Sequence, residues 1–182
     1  MKLYEYIILA VGWVLWFMPF VLAGWDRSST VARDSRSKWG IVLQMIGYAT
    51  IWQGHFWVSE PASWQVWSSV LLQVLAIVLS WTGARALGRH LRLEAALRSD
   101  HKLVQSGPYR VIRHPIYASM LCMLLGDGVM IATPVLLAIA VVVFLIGTEI
   151  RVRTEDRLLA EHFGLEFVAY RRRVRAYIPL VR

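Results

Sequence analysis

Residues 116–150 read IYASMLCMLLGDGVMIATPVLLAIAVVVFLIGTEI, and the chain runs straight on into Arg151-Val152-Arg153-Thr154-Glu155-Asp156. Asp127 and Glu149 are the charged residues of that long apolar run. Thr133-Pro134 divides it into two arms, Ile116–Ala132 and Pro134–Ile150, each 17 residues long. Threonine before proline is a helix cap followed by a residue suited to the first helical position. The stretch therefore reads as a tight helical hairpin. A bilayer core about 30 Å thick takes roughly 20 apolar residues as helix, so each arm sits at the short end of a membrane span.

Three more apolar blocks precede the hairpin: Tyr6–Gly24, Trp39–Val58 and Gln65–Leu87. The chain of 182 residues is 57% hydrophobic and 18% charged. Soluble domains are about 45–50% apolar and about 25% charged. Apolar residues lying in blocks exclude a disordered chain, a disulfide-stapled miniprotein and a soluble globular domain. A single cysteine, Cys122, cannot form an internal disulfide. The expected fold is all-α: a polytopic membrane protein with about five transmembrane helices. Residues 1–182 form one membrane domain, with three spans in 1–88 and the hairpin, a cytoplasmic pocket and an amphipathic tail in 89–182. Pro19 is expected to kink the first span. Lys2 ahead of an apolar run also admits a signal peptide, but the length of the run and its Trp13, Trp16 and Pro19 stand against one.

The basic residues test the span count. Loop 25–38 holds four, stretch 85–115 holds seven and the tail after Ile150 holds eight, which accounts for all but Lys2 of the 20 Lys and Arg. Loop 59–64 and the Thr133 turn hold none. Five spans place all three basic regions on one side. The positive-inside rule makes that side cytoplasmic and the N-terminus external. Trp25, Trp39, Trp57, Trp64 and Trp67 fall near span ends, as interfacial tryptophans do, while Trp13, Trp52 and Trp81 are central and read as packing.

Two polar stretches flank the hairpin on the basic side. The first runs from His101 to Tyr117 and contains Gly107-Pro108, a turn, and His114-Pro115, where proline disfavours helix at His114 and starts one at Pro115. The open N–H groups of that helix start suit an anion. The second runs from Glu149 to Leu159, where Glu149–Arg153 and Arg151–Glu155 are each one turn apart on a continuing helix. A hairpin returns the chain to the surface it left, so both stretches roof one interfacial pocket. Singly, each residue has a plainer explanation: arginines snorkel, i,i+4 pairs decorate surfaces and histidines are solvated. Asp127 is read as structural and near the outer surface. Phe163, Phe167, Tyr170, Val174 and Tyr177 form an apolar stripe beside Arg171–Arg173, read as an amphipathic helix on anionic lipid, broken at Gly164 and ended by Pro179. No dinucleotide loop, P-loop or zinc-ligand spacing occurs, and neither nucleic acid nor metal is an expected partner.

His101-Lys102-Leu103-Val104, Gly107-Pro108-Tyr109 and Arg113-His114-Pro115-Ile116-Tyr117, followed by Arg151, Glu155-Asp156, Phe163-Gly164, Tyr170 and Ile178-Pro179, resemble the integral-membrane methyltransferases. That family includes isoprenylcysteine carboxyl methyltransferases and phospholipid N-methyltransferases. The resemblance covers about residues 94–180. It implies S-adenosylmethionine as donor and S-adenosylhomocysteine as product. It implies cofactor contacts at His101, Lys102, Leu103, Val104, Tyr109, His114, Pro115, Ile116, Tyr117 and Glu155. Arg151 falls on the acceptor side as the catalytic, substrate-binding residue. Glu94 stands where relatives can carry a Gln, and Glu-Asp stands in place of Glu-Glu. A carboxylate acceptor is already nucleophilic and suits Arg151, so a lipophilic carboxylate is the expected acceptor. Other readings stay open: a phospholipid or amine N-methyltransferase, a sterol-reductase-like oxidoreductase using NADPH, or a non-enzymatic membrane protein. The expected location is the inner or plasma membrane if bacterial, the endoplasmic reticulum if eukaryotic.

Overall fold

The computed structural model describes residues 1–23, 35–54, 60–88 and 103–177, with the backbone of 32–33 and 96–97. Each of the five apolar blocks forms a helix: α1 (Leu3–Leu22), α2 (Ser37–Ile51), α3 (Ser63–Leu87), α4 (Pro115–Ile131) and α5 (Pro134–Phe163). A short α6 (Leu165–Arg173) follows, and one 3-10 turn spans Gly107–Arg110. Helices α1, α3 and α5 are long and apolar enough to cross a membrane, while α4, at 17 residues, is shorter. The block read as 39–58 is helical only to Ile51. There the Trp52 and Gln53 amides bond back to Ala49 and Thr50 in a tighter turn, which ends the regular pattern. Residues 55–59 lie outside the described residues.

The hairpin forms where the sequence places it. The Thr133 hydroxyl accepts from the Leu136 amide, and Pro134 opens α5. The two ends of the bundle are also distinguishable. Lys2 pairs with Glu60 at 3.0 Å, joining the N-terminus to the α2–α3 connection. At the opposite end β1 (Ala32–Arg33) pairs antiparallel with β2 (Ala96–Leu97), joining two of the basic loops. The arrangement agrees with a chain that crosses back and forth and collects its basic segments at one end.

The packing is inverted relative to a soluble bundle. Outward-facing Val14, Leu71, Val78, Val135, Val142 and Ile146 are exposed and apolar, whereas Gln44, Gln73, Ser80, Ser119 and Asp127 are buried. Hydrocarbon is a solvent for the first set, and interhelical hydrogen bonds satisfy the second. Trp16 Nε1 donates to Ser119 Oγ at 3.1 Å, and Tyr48 OH donates to the Met120 carbonyl at 2.7 Å. Asp127, read as structural, is fully buried: it accepts from Trp13 Nε1 at 2.8 Å and Gln73 Nε2 at 3.1 Å. It thus ties α1, α3 and α4 together.

Helix α2 lies along α5, α3 along α4, and α1 on α3. The α2–α5 contact is close because both sides are small. A Cβ on Gly40 would lie 2.6 Å from the Gly147 carbonyl oxygen, and one on Gly147 would lie 2.7 Å from that of Gly40. Without a hydrophobic force between helices in lipid, such backbone approach is what holds a pair. It also sets the register that brings Gln44 of α2 level with Thr148 and Arg151 of α5.

The tail breaks at Gly164, as its sequence reads, but its apolar face packs on protein rather than on lipid. Gly164 adopts φ +53°, a left-handed conformation that stops α5, and α6 ends at Arg173. Phe167 and Tyr170 are buried, and Tyr170 OH donates to the Tyr109 carbonyl at 2.6 Å. The apolar side of α6 therefore packs on the segment before α4. Pro179 lies outside the described residues.

Candidate active site at the basic end of the bundle

Helix α5 continues without a break past its apolar part, 134–150, for more than three further turns. That extension carries Arg151, Glu155 and Asp156 above the membrane-embedded segment. Facing it, the chain before α4 makes a turn at Gly107, where φ is +59°, then runs extended into His114 and starts α4 at Pro115. The extended piece is strapped by the C-terminal segment: the Arg113 amide bonds the Arg175 carbonyl and the His114 amide bonds the Ala176 carbonyl, both at 2.8 Å. Backbone donors that a loop would leave to water are satisfied, so the imidazole is held on a fixed support.

His114 is buried between two carboxylates. Its Nε2 lies 3.1 Å from Asp156 and its Nδ1 lies 3.3 Å from Glu155. A ring that donates from both nitrogens is an imidazolium. Burial opposes that charge, but the hydrogen bonds to Asp156 and Glu155 outweigh it and raise the His114 pKa above its ordinary value. The same balance works in reverse on the acids. Burial pushes Glu155 and Asp156 up, and the hydrogen bond and charge of His114, with Arg151 or Arg113 beside it, bring both below the usual carboxylate range.

Two arms extend from this centre. On one, Arg113 donates to Asp156 at 2.9 Å and to the carbonyls of Arg171 and Val174. This arm holds the motif to the tail. On the other, Tyr117 OH donates to Glu155, and the Tyr117 ring stacks on His114 at 5.5 Å. The Arg151 guanidinium lies over the Tyr117 ring at 4.6 Å and 4.0 Å from Glu155. Arg151 Nη1 also donates to Gln44 Oε1 at 2.9 Å, and Gln44 Nε2 donates to Thr148 Oγ1 at 2.8 Å. Gln44 is fully buried in α2.

Four residues singled out from sequence, His114, Tyr117, Arg151 and Glu155, thus meet in one cluster. Tyr109 is buried beside it and feels the Glu155 charge; burial first, then that charge, raises its hydroxyl pKa. Pro115 and Ile116 pack on Gly83 of α3, and Leu103 and Val104 are half-buried. His101 and Lys102, like Glu94, lie outside the described residues. The open amides expected at the start of α4 are closed in part, because the Tyr117 N–H turns onto the His114 carbonyl at 3.1 Å. Among the described residues no three His, Cys, Asp or Glu side chains are grouped to hold a metal ion. The sequence reading passed over Gln44. A glutamine inside an apolar run was the available signal, since a polar side chain at membrane depth must find a partner.

The cluster offers a carboxylate that can take a cationic or hydroxyl-bearing group. Glu155 keeps lone-pair capacity beyond its present donors, while the Tyr117 ring is covered by Arg151 and both His114 nitrogens face acids. The ammonium group of an amino-acid derivative fits that carboxylate.

Comparison with known proteins points the same way. The family described as phospholipid methyltransferase matches residues 64–166. The chain is 31% identical over 144 residues to protein-S-isoprenylcysteine O-methyltransferase B of Arabidopsis thaliana, covering 77% of this chain and 70% of that protein. It is 36% identical over 117 residues to the cobalt-zinc-cadmium resistance protein CzcN of Cupriavidus metallidurans, covering 62% of this chain and 53% of that one. It is 31% identical over 169 residues to the nickel-cobalt-cadmium resistance protein NccN of Alcaligenes xylosoxydans xylosoxydans, covering 88% and 72%. The matched region contains both halves of the cluster, from the His114 turn to the Glu155 helix, and the chain belongs to the membrane methyltransferase family that joins phospholipid and isoprenylcysteine methyltransferases.

Proposed function

We propose that this membrane methyltransferase transfers the methyl group of S-adenosylmethionine to the carboxylate of a lipophilic, isoprenylcysteine-like molecule, releasing S-adenosylhomocysteine. The observation that carries the reading is the Glu155 carboxylate held by His114 and Tyr117 with Arg151 one turn below it on the same helix. The bound donor supplies a methyl group on a positively charged sulfur. Glu155 would take the ammonium side of such a molecule, and His114, held between Glu155 and Asp156, positions that carboxylate. Tyr117, whose ring already carries His114 and the Arg151 guanidinium, would steady Glu155 through its hydroxyl. Leu103, Val104, Tyr109, Pro115 and Ile116 stand beside this cluster, and the resemblance adds His101 and Lys102 as donor contacts.

Arg151 works on the acceptor. Its planar fork matches a carboxylate, and in-line transfer needs an acceptor oxygen about 3 Å from the methyl carbon, so orientation is the main task. An anionic oxygen needs no general base, and a guanidinium cannot act as one. This favours a carboxylate over an amine. The name of the Arabidopsis relative supports the same acceptor class. We place the basic end of the bundle in the cytoplasm and the N-terminus outside. A greasy acceptor then enters from the bilayer while the polar donor arrives from water. Residues 1–88 and 89–182 act as one unit, since Gln44 of the first part supports Arg151 of the second.

The test is methyl transfer from tritiated donor to farnesylcysteine analogues and, separately, to phospholipids. Glu155→Ala is expected to weaken donor binding about tenfold or more, as loss of a charged hydrogen-bond acceptor does. Arg151→Ala is expected to leave donor binding near wild type and to abolish turnover. Equal loss of donor affinity in both variants contradicts the division of roles. Methylation of phospholipid amines alone contradicts the acceptor.

A further inference from the structure

A concavity of about 610 Å³ opens beside the cluster, and neither Glu155, Tyr117 nor Arg151 lines it. Its wall carries Arg113, Arg153, Arg157, Arg171 and Arg175 against one acid, Asp156. That acid is already engaged by Arg113 at 2.9 Å and His114 at 3.1 Å. Arg153 is paired with Glu149 at 2.7 Å. Arg157, Arg171 and Arg175 have no acidic partner among the described residues. Arginines that merely reach for lipid headgroups would point out along one helix. Here they come from α5, from α6 and from the segments on either side of the strap. The bonds from Arg113 to the Arg171 and Arg175 carbonyls fix three of those backbones relative to one another. The recess is therefore built before any ligand arrives. It sits at the basic end of the bundle, where phosphate groups of lipids and soluble phosphate esters are both at hand.

We propose that this recess binds a phosphate-bearing anion, either the headgroup of an anionic lipid or a soluble phosphate. Guanidinium forks match phosphate oxygens two at a time, and several forks converging on one cavity favour a charge above one. The inference does not depend on the methyl-transfer reading.

The purified full-length chain in neutral detergent is titrated with phosphatidylglycerol or phosphatidylcholine and followed by native mass spectrometry. In parallel it is titrated with inorganic pyrophosphate by calorimetry. Arg157→Gln/Arg171→Gln is compared with Arg172→Gln/Arg173→Gln, which removes the same charge from exposed residues of α6 that do not line the recess. Phosphatidylglycerol is expected to be retained over phosphatidylcholine, and the first double variant to lower that retention about tenfold while the second leaves it unchanged. Pyrophosphate binding with the same dependence on Arg157 and Arg171 supports the proposal with a soluble source. Binding of neither anion, or equal losses in the two double variants, overturns it in favour of diffuse surface charge.

Discussion

Gln44→Leu tests the join between the two parts of the site. The leucine fills nearly the same volume but removes the oxygen that Arg151 Nη1 reaches at 2.9 Å and the amide that Thr148 accepts at 2.8 Å. Thr148 can turn its hydroxyl to its own helix backbone. Arg151, buried and charged, loses the closest of its contacts to Gln44, Glu155 and Tyr117. A hydrogen bond from a charged donor is worth about 1.5–3 kcal/mol. If that energy holds the guanidinium in its working orientation, turnover falls about tenfold to a hundredfold, at 1.4 kcal/mol per factor of ten. Donor affinity is expected to stay within about twofold, because Gln44 touches none of His114, Tyr117 and Glu155 directly. Gln44→Glu keeps an oxygen at the same reach and is expected to recover most of the activity. The assay is methyl transfer under single-turnover conditions, with donor binding measured by calorimetry. Loss of donor affinity equal to the loss of rate, or full activity in Gln44→Leu, refutes the reasoning.

The imidazolium cluster makes stability depend on pH in two directions. The raised His114 pKa contributes stability that is complete below the unfolded value, about 6.5, and is lost as pH rises through the folded value; the lowered Glu155 and Asp156 pKa values contribute stability present above about 4 and lost as pH falls through theirs. Thermal unfolding in detergent is expected to peak between those limits, and His114→Gln to flatten the alkaline side; an unchanged alkaline limb contradicts the charged ring. Gly147→Val places a side chain against Gly40 and Gln44 and is expected to cost about 1–3 kcal/mol or more, read as a lowered Tm, whereas Ile146→Val, facing outward, is expected to cost little. In a Cys122→Ser background, a cysteine at Ala62 is expected to label from outside and one at Arg172 from the cytoplasm; labelling of both from one side overturns the topology.

Much of this architecture was legible because its signals are local. Thr133-Pro134 marks the hairpin by cap chemistry, His114-Pro115 marks a helix start by steric exclusion, and the clustering of basic residues marks one end of the bundle. The meeting of His114 with Glu155 followed from the hairpin alone. What was not legible depends on which helix lies against which. Every span is apolar, so nothing in α2 by itself names α5 as its partner; the match arises from Gly40 facing Gly147, over a hundred positions apart. Gln44 therefore gave no sign of serving Arg151. The tail was legible in part, since Gly164 marks its break. Its apolar stripe was visible, but periodicity does not say whether such a face meets lipid or protein, and Tyr170 meets the Tyr109 carbonyl.

The uninterrupted α5 has a mechanical consequence. One stiff rod contains both the greasy anchor and the ionic head, with no hinge between Pro134 and Phe163. The height of the reaction chamber above the hydrocarbon is then dictated by how deeply the anchor is seated. A bilayer that does not match the anchor then tilts the rod as a whole or adjusts its own thickness around it, and either response shifts the ionic head relative to the membrane surface.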